Sequence, residues 1–187
     1  MSRHPLGLIH GRFQVLHNDH LVYLLAGKAL CDHLIVGVTN PTPEESAEEA
    51  ANPARSAPEN NPLSYEERES LIRAAFKEKG IPEGSYEVIP FPICKPEKIR
   101  EIAPAEAVYY LTIYDAWGHE KRKRLEGLGL RTHVMWERPQ EHKGISATDV
   151  RRAMRTGGEW RHMVPPAVAA LLDEWNIQER LAGSSGS

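Results

Sequence analysis

The sequence predicts an α/β protein, an open parallel sheet of about five strands with helices on both faces and a helical C-terminal end. Two observations carry this prediction. Short apolar runs rich in β-branched residues alternate along the chain with segments of helical periodicity. The first of those runs lack polar alternation, which is typical of parallel strands buried on both faces. At 187 residues, 41% of them hydrophobic, the chain is long enough to bury the core of one such domain.

The first strand–helix–strand unit occupies the N-terminal part of the chain. LGLIH (6–10) and HLIVGVT (33–39) are continuously apolar, and the segment between them, 19–30, repeats apolar residues at helical spacing. The stretch 40–62 is rich in Pro, Ala, Asn and acidic residues, with few large apolar side chains. We expect it to be a long mobile loop, and long loops inside compact domains are usually functional or disordered.

The second unit begins with a helix whose two ends are marked in the sequence. Ser64 and Glu67 have the spacing of a capping box, and Gly80 ends the predicted helix. YEVIPF (86–91) then predicts the third strand.

The remaining elements follow the same alternation until the chain becomes helical. AVYYLTIY (107–114) and RTHVMW (131–136) predict strands on either side of a charged amphipathic helix, 118–128. Two further helices, 146–157 and 165–175, complete the fold, the second with proline at its start. We expect one domain over residues 1–181, followed by a flexible tail or cloning remnant, AGSSGS (182–187).

Composition limits the partners of this chain. The formal net charge of -3 offers no broad basic surface for a nucleic acid or a membrane, so any anion site must be local. The N-terminus lacks a signal-peptide pattern, and no segment approaches about 20 consecutive apolar residues. We therefore expect a cytoplasmic protein.

The turn after the first predicted strand, GRFQVLHNDHL (11–21), carries unusual chemistry for a connection. Gly11 lets the backbone approach a ligand, and Arg12 offers donors suited to phosphate oxygens. His17 and His20 are three residues apart at a helix start, where backbone amides and the helix dipole also favour an anion. This set predicts a polyanion site such as one for a nucleoside triphosphate. Zinc is disfavoured, because HExxH lacks its glutamate here and no third ligand is evident, so we predict no protein metal site.

A second segment, KGISATDVRRAMRTG (143–157), repeats this chemistry at another helix start. Ser146 and Thr148 bring hydroxyl groups there, and Arg151 follows one turn later. An ordinary capped helix explains the same pattern, since Ser146 and Asp149 have capping-box spacing. Its pairing with the first motif favours phosphate binding.

These two segments resemble a known pair of motifs. GRFQVLHNDH is similar to the GRFQPxHxGH signature of the HxGH nucleotidylyltransferase superfamily, and ISATDVRR to its ISxTxxR motif. Residues 6–176 most resemble the archaeal-type nicotinamide-mononucleotide adenylyltransferases, including NPLSYEERESLIRAAF (61–76). The resemblance implies a Rossmann-like fold and a Mg²⁺ ion that accompanies the triphosphate.

The resemblance also implies roles for individual residues. The catalytic residues would be Arg12, His17 and His20, which contact the reacting phosphates. The nucleotide- and phosphate-binding residues would be Gly11, Phe13, Gln14, Ser146, Thr148 and Arg151. Asn40 and Arg68 would contact the acceptor. Two further acceptor-binding candidates come from their own chemistry rather than from the resemblance: Asp115 can hold a hydroxyl or amine, and Trp117 can stack on a ring. Two of these have an alternative explanation, because Trp117 is also suited to interface packing and Arg68 to pairing with a glutamate.

Two departures from the resembled pattern bear on function, besides the milder changes at Val15 and Ala147. Asp19 replaces the glycine of HxGH, which brings a carboxylate to a phosphate site unless it caps the helix or approaches through Mg²⁺. After the fourth strand, LTIYDAWGHEKRKRL (111–125) replaces an SGN-like stretch, so acceptor recognition differs. We expect the basic run within it, 121–124, to be a solvated helix face.

The function predicted from these residues is nucleotidylyl transfer from a nucleoside triphosphate, ATP before CTP, to a small phosphate-bearing acceptor. Adenylyl transfer to nicotinamide or nicotinate mononucleotide stands first. Cytidylyl transfer to a phosphonate, a polyol phosphate or a similar small acceptor is the alternative. A non-catalytic nucleotide-binding sensor is an alternative of another class. We expect no nucleic-acid or membrane partner, and a homo-oligomer is compatible with the resemblance.

Overall fold

Five parallel strands form a single sheet in the computed structural model, which describes residues 3–42, 57–93, 96–102, 104–142 and 144–183. The strands are β1 His4–Gly11, β2 Cys31–Thr39, β3 Tyr86–Phe91, β4 Val108–Ile113 and β5 Arg131–Glu137. Their order in the sheet is β3-β2-β1-β4-β5. All four strand pairs are parallel, which confirms the predicted Rossmann-like α/β fold.

Seven helices accompany the sheet in the described part of the chain. They are α1 Asn18–Leu30, α2 Tyr65–Glu78, α3 Pro96–Ile102, α4 Ala116–Gly127, α5 Ala147–Arg155, α6 Pro166–Glu174 and α7 Ile177–Gly183. The sequence patterns predicted all of these helices except α3 and α7, which are only seven residues long. A helix of two turns shows too few periodic positions to stand out from a loop.

Two segments that we expected to be flexible are described only in part. Residues 43–56 of the predicted 40–62 loop, and residues 184–187 of the predicted tail, lie outside the described residues. The described end of the loop forms a short 3₁₀ turn, Pro58–Asn60. At the C-terminus, α7 continues through the first two residues of the predicted tail.

The helix ends confirm the local signals of the sequence. Ser64 and Glu67 form the predicted capping box at the start of α2. At the other end, Gly80 has φ of 68°, and its amide donates to the carbonyl of Lys77 at 3.0 Å. The amide of Ile81 donates to the carbonyl of Phe76 at 2.9 Å. These two hydrogen bonds form a Schellman motif. Glycine is favoured at position 80 because the backbone there is left-handed.

The core has two parts, one on each face of the sheet. The larger part contains residues of α1, α2, α5, α6 and α7, among them Leu24, Phe76 and Val150. The smaller part packs residues of α3 and α4, such as Ile99 and Leu125, against the other face. Helices therefore cover both faces, as expected for a parallel sheet.

A crevice opens where the order of strands reverses. The chain proceeds outward from β1 to β3 and then returns to place β4 on the other side of β1. β1 and β4 are paired only at Gly7 with Val108 and Leu8 with Tyr109, although both strands continue beyond these residues. Ligands of open α/β sheets bind outside the carboxyl ends of the strands at such a reversal. The fold thus places the GRFQ turn, which follows β1, beside this crevice.

No helix in the described part of the chain is both long and apolar enough to cross a membrane.

Candidate active site

A cavity of about 580 Å³ lies at the carboxyl edge of the sheet and joins the two sequence motifs. This volume is in the usual range for small-molecule sites. Most of the residues singled out from the sequence line it: Gly11, Arg12, Phe13, Gln14, His17, His20, Asp115, Ser146, Thr148 and Arg151. Segments more than 120 residues apart in sequence therefore share one site, as the two-motif hypothesis requires.

The two histidines are stacked at the start of α1. Their ring centroids are 3.6 Å apart, with an angle of 21° between the ring planes. His17 is the N-cap of α1, and its Nδ1 accepts the backbone N–H of His20 at 3.3 Å. An Nδ1 that accepts must carry its lone pair, so the proton of a neutral His17 ring is assigned to Nε2. The cap thereby orients one imidazole N–H donor in the cavity wall.

Phe13 packs against the stacked histidine pair. Its ring meets His20 edge-to-face with centroids 5.1 Å apart, and its backbone is left-handed, with φ of 51°. A Cβ added to Gly11 would come within 2.8 Å of the Phe13 ring. Glycine at position 11 is therefore required by this packing, a reason that the sequence alone did not indicate.

Arg151 connects the two motifs directly. Its guanidinium donates to the backbone carbonyl of Gln14 in the GRFQ turn. It also donates to Asn60 Oδ1 at 3.0 Å and to Thr148 Oγ1 at 3.2 Å. Gln14 is itself held by two hydrogen bonds to the backbone of Leu63, at 2.7 and 3.0 Å. The helix α5, the turn after β1 and the segment before α2 are thus tied together at the cavity.

The start of α5 combines a capping box with a surface for anions. Ser146 Oγ accepts the backbone N–H of Asp149, and the Asp149 carboxylate accepts from both the amide and the hydroxyl of Ser146. The hydroxyl proton that we expected Ser146 to offer a phosphate is therefore directed to Asp149. The amides of Ala147 and Thr148 occupy the first turn, where a helix has no internal acceptors, and both residues line the cavity.

Arg68 has a different position from the acceptor contact that we expected. It is 1% exposed and is not among the described residues that line the cavity. Its guanidinium donates to the backbone carbonyls of Arg12, Thr39, Asn40 and Ser64, at distances of 2.7 to 3.1 Å. The hydrogen-bond partners of Arg68 are thus main-chain oxygens, where the sequence analysis offered an anion or a glutamate, and its acceptor role stays a prediction.

The other three acceptor candidates have separate outcomes. Asp115 lines the cavity and caps α4, where its Oδ1 accepts the amide of Gly118 at 2.9 Å. Asn40 is buried at the end of β2 with φ of 50°, and it does not line the cavity among the described residues. Trp117 lies in α4, but its side chain is outside the described part of the structure.

The cavity concentrates positive charge in a chain whose net charge is negative. Burial first, and then the charge of Arg12, lower the pKa of Arg151 to about 10. The same two causes lower the pKa of Arg68 to about 10. Both guanidinium groups remain protonated at neutral pH, so three cationic side chains crowd together near the GRFQ turn. A bound polyanion would relieve this repulsion.

Asp19, the acidic replacement in HxGH, faces the loop before α5. It lines the cavity, and a Cβ added to Gly144 would collide with its carboxylate. The carboxylate therefore sits between the first turn of α1 and the start of the second motif. Asp19 thus shares the cavity wall with His17, His20 and the residues that begin α5.

Several cavity residues were not found by sequence reasoning. His10, at the end of β1, lines the cavity, as does Lys121 of α4, which we had expected on a solvated helix face. A polar residue within the otherwise apolar LGLIH strand is a signal that could have identified His10. Trp136 also lines the cavity, where its indole donates to Tyr114 Oη at 2.8 Å and its ring packs edge-to-face with Tyr23.

Comparison with known proteins identifies the class of protein to which this fold and cavity belong, a nucleotidyltransferase. The cytidylyltransferase-like family model matches residues 8–153, and the chain belongs to this family. A phosphonoformate cytidylyltransferase of Streptomyces viridochromogenes is 46% identical over 175 residues, covering 94% of both chains. A nicotinamide-nucleotide adenylyltransferase of Thermococcus sibiricus is 27% identical over 176 residues, or 94% of this chain and 87% of that one. Because these relatives are enzymes, we do not retain the sensor alternative.

A solved structure shows the same fold at low sequence identity. The bifunctional NMN adenylyltransferase/ADP ribose pyrophosphatase of Francisella tularensis, complexed with AMP and a manganese ion, superposes with a TM-score of 0.66 and 14% identity. The match covers 97% of this chain and 53% of that one, so this chain spans about half of the bifunctional protein. At this identity the similarity supports the fold alone.

Proposed function

We propose that this enzyme transfers a cytidylyl group from CTP to phosphonoformate or a closely similar small phosphonate acid and releases pyrophosphate. The observation that carries this proposal is the 46% identity to a phosphonoformate cytidylyltransferase over nearly the whole of both chains. It favours the alternative of the sequence analysis over adenylyl transfer to a mononucleotide, for which the relatives are 24–28% identical.

The reaction needs positioning and charge more than a reactive side chain. A phosphonate oxygen of the acceptor forms a new bond to the α-phosphorus of CTP, while the bond from that phosphorus to the bridging oxygen breaks. The electron pair leaves with pyrophosphate, and a phosphonate dianion has no proton to lose. Catalysis then comes from holding the two reactants in line and stabilising the charge on the phosphoryl oxygens.

The cavity offers separate groups for the reacting and departing phosphates. We assign the N–H donor of His17, His20 and Arg12 to the α-phosphate and its neighbouring oxygens, because all three line the cavity at the start of α1. The departing β- and γ-phosphates fit the start of α5, with the amides of Ala147 and Thr148, the Thr148 hydroxyl and Arg151. Ser146 contributes by capping that helix.

A Mg²⁺ ion fits this site if the triphosphate supplies most of its ligands. The described residues contain no cluster of three or more His, Cys, Asp or Glu side chains that could hold a metal ion. Asp19 is the carboxylate on the phosphate side of the cavity, so it is the side chain that would approach such an ion. Mg²⁺ would supply neutralisation of phosphate charge, and it commonly binds through one or two carboxylates plus phosphates.

A matrix of substrates tests the proposal. Pyrophosphate release is measured with each of CTP, ATP, GTP and UTP against phosphonoformate, nicotinamide mononucleotide and nicotinate mononucleotide, and products are identified by ³¹P NMR. We expect turnover with CTP and phosphonoformate, with kcat/KM about tenfold or more above any other pair. Preference for ATP with either mononucleotide would contradict the proposal in favour of adenylyl transfer.

A further inference from the structure

His10 is a buried polar side chain that the proposed triphosphate contacts leave unused. It lies one residue before the end of β1, is 6% exposed and lines the cavity. Neither ring nitrogen has a hydrogen-bond partner among the residues that the structure describes. Burying two polar atoms without partners costs free energy, so such groups in native proteins usually meet a ligand or a water molecule. The ring therefore needs a partner from inside the cavity.

The position of the ring is held by an aromatic neighbour. His10 stacks on Phe91 at the end of β3, with ring centroids 5.0 Å apart and an interplanar angle of 19°. Because Phe91 covers one face of the His10 ring, the imidazole can form hydrogen bonds only through the two nitrogens at its edge. Phe91 belongs to the smaller core on the α3–α4 face of the sheet.

Lys121 brings a charge to the same part of the cavity. It lies on α4, is half-buried and lines the cavity. Burial first, and the positive charge of Lys121 second, hold the pKa of His10 well below its ordinary value. At neutral pH the imidazole is therefore uncharged, with one N–H donor, while the lysine supplies a nearby positive charge. An N–H donor beside an ammonium group is suited to a carboxylate or phosphonate oxygen.

The elements packed around His10 and Lys121 differ from those that carry most of the proposed triphosphate contacts. His17 and Arg151 belong to α1 and α5, which pack on the larger core, whereas Phe91 and α4 belong to the opposite face. β1 and β4 diverge between the two sides, so the cavity reaches both faces. Thr112, near the end of β4, and Asp115, which caps α4, the helix of Lys121, also line the cavity.

We infer that His10 and Lys121 form the acceptor's acid pocket, binding the anionic group of the acceptor that does not attack the α-phosphorus. This inference deepens the proposed function and rests on it. For phosphonoformate that group is the carboxylate: Lys121 provides the charge, and His10 provides a hydrogen bond. The pair is then a specificity determinant that selects phosphonates carrying a second acid group.

The test compares an acceptor that has the second acid group with one that lacks it. Phosphonoformate and methylphosphonate are used with CTP on the wild type, His10→Phe and Lys121→Met. His10→Phe keeps a ring against Phe91 without nitrogens, and Lys121→Met keeps the side-chain length without charge. Lys123→Met, at an exposed position of the same helix, is the matched control.

We expect each pocket variant to lower kcat/KM for phosphonoformate by about tenfold or more, the usual range for one hydrogen bond to a charged group. KM for CTP and kcat/KM for methylphosphonate should stay within about twofold of the wild type. The control should keep the preference for phosphonoformate. CTP binding, measured calorimetrically, verifies that each variant is folded.

The outcomes separate this inference from the proposed function. Equal losses with both phosphonates, or a loss expressed in KM for CTP, would overturn the acid pocket while leaving cytidylyl transfer intact. If the wild type instead uses a mononucleotide acceptor, the proposed acceptor fails. The same variants are then measured on that acceptor, and an unchanged KM overturns the assignment of His10 and Lys121.

Discussion

Three arginines near the GRFQ turn carry the same charge but have different tasks. Arg68 donates to backbone carbonyls that follow β1 and β2, and it is excluded from the cavity. Arg151 also makes internal contacts, with Gln14 and Asn60, yet it lines the cavity. Arg12 lines the cavity as well, and its charge depresses the pKa of both other guanidinium groups. Arg68 and Arg151 both donate to main-chain oxygens, but of these three arginines only Arg12 and Arg151 line the cavity.

Arg151→Ala should weaken the use of CTP far more than the use of the acceptor. We expect a loss of roughly 10²–10³ in kcat/KM for CTP, the usual effect of removing one donor to transition-state charge. Steady-state kinetics with each substrate varied in turn checks this. Arg152→Ala is the control, since Arg152 is the exposed neighbour on α5 and pairs with Asp149. An equal rise in KM for CTP and acceptor would contradict our assignment of α5.

At the scale of elements, two helix starts converge on the cavity. α1 is capped by His17 and α5 by Ser146, so both caps are built from residues of the two motifs. The positive end of each helix dipole adds to the attraction for phosphates. The elements also touch each other through Asp19, in the first turn of α1, and Gly144, in the loop before α5.

The pair Asp19 and Gly144 should therefore behave as coupled positions. A methyl group at position 144 collides with the Asp19 carboxylate, so Gly144→Ala should turn this exposed side chain away from the loop before α5 and reduce kcat/KM for CTP. Removing the obstructing side chain should rescue the loss, and we expect a coupling of about 1 kcal/mol or more in a double-mutant cycle of Gly144→Ala and Asp19→Gly. Additive effects of the two substitutions would show that the contact is not formed in solution.

Over the whole molecule, the sheet and Arg68 hold the site on a fixed frame. Arg68 extends from α2 and donates hydrogen bonds to carbonyls both in the turn after β1 and at the end of β2. It thereby joins these two segments. We call this set of Arg68 hydrogen bonds the Arg68 clamp. Because the turn after β1 leads directly to His17 and His20, the clamp affects both the stability of the domain and the position of the site. A buried carbonyl that loses its donor costs free energy of unfolding.

Arg68→Met should lower the free energy of unfolding by about 3 kcal/mol or more, since several buried acceptors lose one shared donor group. Urea denaturation followed by circular dichroism measures the change. Arg73→Met on the same helix is the control, because Arg73 forms a surface ion pair with Glu69, and such pairs contribute about 1 kcal/mol or less. Similar small losses for both variants would refute the clamp.

Local signals allowed much of the fold and half of the site chemistry to be predicted. The capping box at Ser64, the glycine end at Gly80 and the alternating strands and helices depend on residues near one another in the chain, so the sequence shows them directly. α3 and α7 escaped prediction because two turns give little periodicity. The carbonyl partners of Arg68 escaped prediction because an arginine next to a glutamate looks the same in sequence whether its partners are side chains or carbonyls.

By itself the sequence determined the class of fold, the two polar motifs at helix starts and the residues that cap their helices, since each depends on spacing within a single element. Only the tertiary structure decided that both motifs share one cavity, that Arg68 donates to main-chain carbonyls, and that His10 and Lys121 line the same cavity. The physical reason is that these facts are set by the return of the chain from β3 to β4 beside β1. That return brings together groups separated by tens of residues. Local sequence patterns do not show which of these distant groups will be in contact.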